Sequence, residues 1–372
     1  MIPRSKPDKD DKKPQPTIRC RVRCPMCQEA SYQCRLNNRV FWNRDIDVDL
    51  QPQNYAKLDH IDPDFHPPLY YMWYCPECHF TAGYRHFIHP LKDVYVKTDA
   101  VSARIRDTYA AKGDFHKLVH ILSRGLDIEH MNFFQGLKLH LLAVLELELI
   151  EDMVKQYFLN LGRYCLHLAW LYRDLSNNPE ALAATRPRLD ELYEEVKEFW
   201  PAMPRNEYEA LYKAVNYYDQ TFERSPQVKT IIDEVSILQV IARIYIKLNK
   251  RDEARKMLSS SIERALEARD KIEVKLHDTG EEGRKLTADQ TADMVTLSRR
   301  LRTIADENKQ LIQLLTEERL TEHTTRAKKL LKANKGRDRT VLERILTKNH
   351  IDRRVIARLL PEDKKKGGFP WQ

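Results

Sequence analysis

LQVIARIYIKLNKRDEARKMLSSS, residues 238–261, is the stretch on which the reading of the fold turns. Leu238, Ile241, Ala242 and Tyr245 recur at three- and four-residue intervals, the stripe that one face of an α-helix presents. Asn249 ends that stripe, and Asn is among the few residues that accept the left-handed dihedrals of a tight turn. Ala254 and the small Ser261 then begin a second stripe, so the segment reads as two helices joined by a short turn.

The spacing resembles a tetratricopeptide repeat, with Tyr245 as the aromatic of the first helix, Ala254 nine residues later and Asn249 in place of the turn glycine. Partial copies surround Tyr109 and Gly113 in DTYAAKGDF (107–115) and Ala169 and Tyr172 in HLAWLYRDLSNN (167–178). One repeat cannot bury its own face, so stacked neighbours are expected, giving a tetratricopeptide-like helical domain over 99–275. Ser225 before Pro226 reads as the cap of the helix containing IIDEVSIL. Tyr208, Tyr212, Tyr217 and Tyr218 read as core packing, with a concave binding face as the alternative.

Downstream, Met294, Leu297, Leu301, Ile304, Asn308, Leu311 and Leu315 form a heptad seam in a long helix over 284–335. A buried Asn at an a position fixes register in parallel dimers, so Asn308 makes a homodimer through 294–315 one expectation. Packing along the chain's own helices is the other. Basic helices and a tail follow over 336–372. Residues 284–372 carry 22 Lys and Arg against 12 Asp and Glu, in a chain whose net charge is +8. Nucleic-acid binding through 321–372 is therefore an alternative function, but without interleaved aromatics a solvated charged face is preferred.

Toward the N-terminus, CPMC (24–27) and CPEC (75–78) repeat one Cys-Pro-x-Cys knuckle. Two residues between thiolates let one tight turn aim both sulfurs at a single ion, and two such turns complete a tetrahedral shell. Cys24, Cys27, Cys75 and Cys78 are thus the expected ligands of Zn²⁺, with iron as the rival because the same four sulfurs accept it. Cys20 and Cys34 lie near the first knuckle, and His60, His66, His79, His86 and His89 crowd the second. A closed four-cysteine site needs none of them. Between the knuckles, Asp45, Asp47 and Asp49 alternate with Ile46, Val48 and Leu50, the period of a half-buried strand with a solvated acidic face. A calcium loop is excluded because Leu50 and Ala56 stand where its glycine and bidentate glutamate belong.

Pro68, Leu69, Tyr70, Trp73, Cys75, Pro76, Cys78, Phe80 and Ala82 together resemble the signature of the bacterial DUF2225 family, and CPMC fits its N-terminal half. The resemblance implies a rubredoxin-type zinc ribbon followed by tetratricopeptide-like helices and supplies no chemistry beyond that. It departs at Gln28 and His79, where the family pattern has a glycine that relieves left-handed backbone strain.

The expected architecture is mainly α: a charged disordered tail over 1–17, a small β zinc-ribbon module over 18–98, then the helices. Only 10 glycines occur, none in a nucleotide-loop or nucleophile-elbow pattern. No apolar run is long enough to span a bilayer. The seven cysteines without a secretory signal point to the cytoplasm. The functional expectation is a non-enzymatic zinc-binding adaptor that meets protein partners through its helical repeats.

Overall fold

The computed structural model describes residues 14–37, 39–57, 65–88, 106–107, 110–111, 113–151, 158–224, 230–277 and 287–360. Most of the expected tail, His60, His89, Tyr109 and the Ser225-Pro226 pair lie outside them. The protein is mainly helical, with small antiparallel strand pairs at the N-terminal end and, among the described residues, no closed sheet. The pairs are β1 (Thr17–Arg23) with β2 (Ala30–Leu36), β3 (Phe41–Ile46) with β4 (Pro52–Lys57), and β5 (Met72–Tyr74) with β6 (Thr81–Gly83). Ten α-helices follow among the described residues: α1 (Gly113–Ser123), α2 (Phe133–Glu151), α3 (Phe158–Ser176), α4 (Pro179–Val196), α5 (Glu207–Arg224), α6 (Ile231–Lys247), α7 (Arg251–His277), α8 (Ala288–Ala333), α9 (Arg339–Lys348) and α10 (Arg353–Leu359). None of these is long and apolar enough to cross a membrane.

The chain divides into two compact units, 1–254 and 255–372. In the first, α3 is the central helix and lies against α2, α4 and α5. It is apolar on nearly every side, with Leu161, Cys165, Leu168, Ala169 and Leu171 withdrawn from water, the pattern of a helix enclosed by neighbours. The strand pairs dock on these helices. Leu69, in a 3-10 turn at Pro67–Tyr70, sits on Gly136 of α2, where an added Cβ would lie 2.5 Å from Leu69 Cδ2. Only glycine permits that approach.

Helix α6 begins at Thr230, not at the Ser225-Pro226 pair. Thr230 Oγ1 accepts from the Asp233 backbone N–H at 3.2 Å, and Asp233 returns the bond to the Thr230 backbone N–H at 3.1 Å. This reciprocal box satisfies two otherwise orphaned donors. Asn249 adopts φ +57°, as expected of the turn between α6 and α7. The four tyrosines of α5 divide: Tyr217 and Tyr218 are buried, while Tyr208 and Tyr212 are 57% and 45% exposed.

The aspartate-rich segment departs from a solvated strand. Strand β3 stops at Ile46, and Asp47–Leu50 forms a tight turn closed by Leu50 N–H to Asp47 O (2.9 Å), with Leu50 at φ +69°. Here Ile46 is exposed and Asp49 is buried, the reverse of the alternation. The cause is Arg173 of α3, whose Nη2 lies 2.6 Å from both Asp49 Oδ2 and Glu207 Oε1. Lys247 Nζ contacts Asp47 Oδ2 at 2.5 Å, and Arg243 Nη1 donates to Val48 O at 3.1 Å. The hairpin tip is thus an anionic plug held by cations of α3 and α6.

In the second unit, Leu301, Ile304, Asn308 and Leu315 of the seam are buried. Asn308 Nδ2 donates to Ser261 Oγ of α7 at 2.9 Å. The end of α8 with α9 and α10 encloses Ala327, Leu346, Ile351, Val355 and Ile356. His323 Nδ1 accepts the Asp352 backbone N–H at 2.8 Å, so the basic C-terminal segment carries its own small apolar core.

Candidate metal centre

Each cysteine knuckle is the turn of a β-hairpin, the first between β1 and β2, the second between β5 and β6. The two turns repeat one hydrogen-bond pattern. Gln28 N–H donates to Cys24 O (3.0 Å) and His79 N–H to Cys75 O (2.8 Å); Cys24 N–H donates to Glu29 O and Cys75 N–H to Phe80 O, both at 2.9 Å. Gln28 and His79, which follow the two knuckles, adopt φ +66° and +64°. Each has a side-chain anchor that offsets the strain. Gln28 Nε2 donates to Pro25 O at 3.0 Å, and His79 Nδ1 lies 2.6 Å from Tyr74 Oη with the two rings stacked.

The hairpins are clipped together so that their turns face each other. Arg23 and Ile88 exchange backbone bonds of 2.9 and 3.0 Å. The buried Gln33 side chain acts as a surrogate strand, donating to Tyr74 O and accepting from Tyr74 N–H. Trp73 Nε1 donates to Cys34 O at 3.0 Å. Against the helices, Thr81 N–H donates to Glu146 Oε2 of α2 at 2.8 Å and Gly83 N–H to Tyr164 Oη of α3 at 2.9 Å.

These contacts bring Cys24, Cys27, Cys75 and Cys78 into one cluster, with all four sulfurs within 4.8 Å of one another. Cys24 Sγ is 3.6 Å from Cys78 Sγ, and Cys27 Sγ is 3.6 Å from Cys75 Sγ. A tetrahedral ion with metal–sulfur bonds of about 2.3 Å has sulfur–sulfur edges of about 3.8 Å, so the donor set fits. Hydrogen bonds from Cys24 and Cys78 hold the Cys75 thiol well below its ordinary range, and the same contacts push Cys24 and Cys78 up. Four thiolates at this spacing ionise together only around a positive ion. The Met26 N–H, 3.3 Å from Cys24 Sγ, is placed to stabilise a thiolate.

Cys20 and Cys34 stay outside the cluster on the β1–β2 pair. His66 pairs with Asp174 at 2.8 Å, and His79 is a neighbour of the cluster rather than a donor to it. Reading the sequence missed Gln33, Glu146 and Tyr164. Glu146 carries a local signal, one of two carboxylates, with Glu148, in the otherwise apolar run LLAVLELELI; Gln33 carries none, because its partner lies 41 residues away.

The sequence profile of DUF2225, a family described as an uncharacterized protein conserved in bacteria, matches residues 18–282. No curated protein and no solved structure matches the chain.

Proposed function

The chain belongs to the DUF2225 family, and on that footing we propose that it is a non-enzymatic zinc-binding adaptor whose helices present a surface to a protein partner. The observation that carries the reading is the closed donor set. Four cysteine sulfurs fill a tetrahedral shell and leave no position for substrate, the arrangement of a structural rather than a catalytic ion. Zinc is favoured over iron by the general prevalence of such closed cysteine sites in zinc ribbons. Bound there, it contributes folding free energy to the hairpins that seat on α2 and α3.

For the partner surface, Tyr208 and Tyr212 stand one helical turn apart on α5 with their rings in solvent, and exposed tyrosine is enriched at interface hot spots. The test has two arms. Elemental analysis of the purified chain should give one zinc per molecule, lost in Cys75→Ser together with a lowered thermal midpoint. A red, iron-loaded protein, or metal loss with an unchanged melting profile, contradicts the assignment. Affinity capture with the intact chain should recover a protein that the Tyr208→Ala, Tyr212→Ala variant does not, and equal recovery by both removes α5 as the surface.

A further inference from the structure

The first unit contains a cleft of about 1350 Å³, bounded by β2, by the segments flanking the second cysteine knuckle and by α3. Four arginines line it, Arg35, Arg39, Arg85 and Arg163, and no carboxylate does among the described residues. All four are exposed, and none pairs with a described acidic side chain. They come from separate segments: β2, the turn after it, the stretch following β6, and α3. Elsewhere in the same unit cations are matched, as Arg173 is by Asp49 and Glu207 and Lys213 by Glu148. Unmatched like charge around one concavity raises the local potential and favours an anion.

Much of the remaining wall is aromatic, with Tyr70, Tyr71, Trp73, Tyr84 and Trp170 among its residues. Tyr84 is 47% exposed, and its hydroxyl accepts from Arg85 Nε at 3.1 Å. Tyr71 packs beside His167, whose ring lies 4.9 Å from that of Trp170. Trp170 Nε1 and His167 Nδ1 are both shut off from water and lack a hydrogen-bond partner among the described residues. Buried polar atoms are nearly always paired, so these two leave hydrogen-bonding capacity unspent in residues that line the cleft. Burial lowers the His167 pKa to about 3, so its ring is neutral and can donate or accept.

We infer that this cleft binds a nucleotide unit, with its phosphates on Arg35, Arg39, Arg85 and Arg163 and its base against the aromatic wall. Arginine forks match phosphate oxygens, and aromatic faces stack on bases of any sequence. A simple polyanion would use the arginines and leave the aromatic wall idle. The volume exceeds the usual 300–1,000 Å³ or so of a small-ligand pocket, which suits two linked nucleotides better than one. They can come from a free dinucleotide or from a single strand.

The experiment titrates the full chain, in its metal-loaded form, with fluorescein-labelled octa-adenylate and then competes with adenylyl-adenosine, ATP or inorganic pyrophosphate. Binding is expected at low salt, with log K falling against log salt by about 0.7 per phosphate contact, hence a slope of roughly −2 for the two or three phosphates of two linked nucleotides. Arg35→Ala with Arg163→Ala should roughly halve that slope, and Tyr84→Ala should weaken binding about 5- to 100-fold through lost stacking. Equal thermal midpoints check that these exposed changes leave the fold intact. Competition by adenylyl-adenosine assigns the site to free dinucleotides; its failure beside tight octa-adenylate binding assigns it to single strands. Pyrophosphate competing as well as the nucleotides overturns the assignment, as does no binding at low salt. A third overturning result is binding that survives the arginine changes but vanishes in Lys328→Glu, Lys329→Glu, Lys332→Glu.

Discussion

Asp49 Oδ2 lies 2.6 Å from Arg173 Nη2, and the two side chains, 0% and 10% exposed, join a hairpin tip to the central helix of the first unit. A buried ion pair gains little over a well-packed apolar pair, but breaking one side strands the other charge. Arg173 also serves Asp47 and Glu207, so its loss leaves three carboxylates without their shared cation. Arg173→Met should cost about 3–5 kcal/mol in urea unfolding. Adding Asp49→Leu to Arg173→Met should recover part of that loss. Arg186→Ala, which breaks the exposed pair with Asp190 on α4, should cost under about 1 kcal/mol.

That same pair marks where sequence reading stopped. The knuckles, the turn at Asn249 and the long helix are local patterns, and local patterns survive in a single sequence. Asp45, Asp47 and Asp49 also form a local pattern, but the residue deciding their fate lies more than 120 positions downstream. Alternation alone could not distinguish a solvated face from a plug. Thr230 and Ser225 are both cap-type residues, and the choice between them depends on Asp233 closing the box. Gly136 is conspicuous only once Leu69 is seen against it, and the four cleft arginines converge only in three dimensions.

The two left-handed knuckle residues separate backbone strain from side-chain anchoring. A non-glycine residue at positive φ costs roughly 1–2 kcal/mol. Gln28→Gly relieves that strain but loses the bond to Pro25 O, so its stability should stay within about 0.5 kcal/mol of the parent. Gln28→Ala keeps the strain and loses the bond, and should be the worse of the two. His79→Gly relieves the same strain but gives up both the Tyr74 contact and the stacked ring, and should cost a net of about 0–1 kcal/mol, more than Gln28→Gly. Chemical denaturation of the metal-loaded protein ranks the three.

Asn308 and Ser261 test the seam. Their 2.9 Å bond joins α8 to α7 within one chain, and Asn308 is fully buried. A double-mutant cycle with Asn308→Ala and Ser261→Ala should return a coupling of about 1 kcal/mol. An Asn that instead faced its copy across a parallel dimer would, on changing to Leu, shift the oligomer state. Asn308→Leu should leave the sedimentation coefficient unchanged at micromolar concentration, and a change in mass would assign the seam to a second chain.

Two buried groups of α2 should drive stability in opposite directions with pH. His140 is enclosed, its Nδ1–H donates to Gly136 O at 2.8 Å, and burial lowers its pKa to about 4. Below about pH 6.5 the unfolded chain takes up a proton that the folded chain refuses, so stability falls toward pH 4 by about 1.4 kcal/mol per pH unit. Glu146 is the mirror case. Burial pushes its carboxyl well above the ordinary range, so as pH rises past about 4.5 the unfolded chain ionises first and stability falls with rising pH. Urea midpoints between pH 4.5 and 7 should therefore show a flatter acid limb in His140→Gln than in the parent. Glu146→Gln still offers an oxygen to the Thr81 N–H and removes the opposing titration, so its acid limb should be steeper. Profiles that shift uniformly, without opposite changes of slope, would mean that neither group keeps its buried charge state in solution.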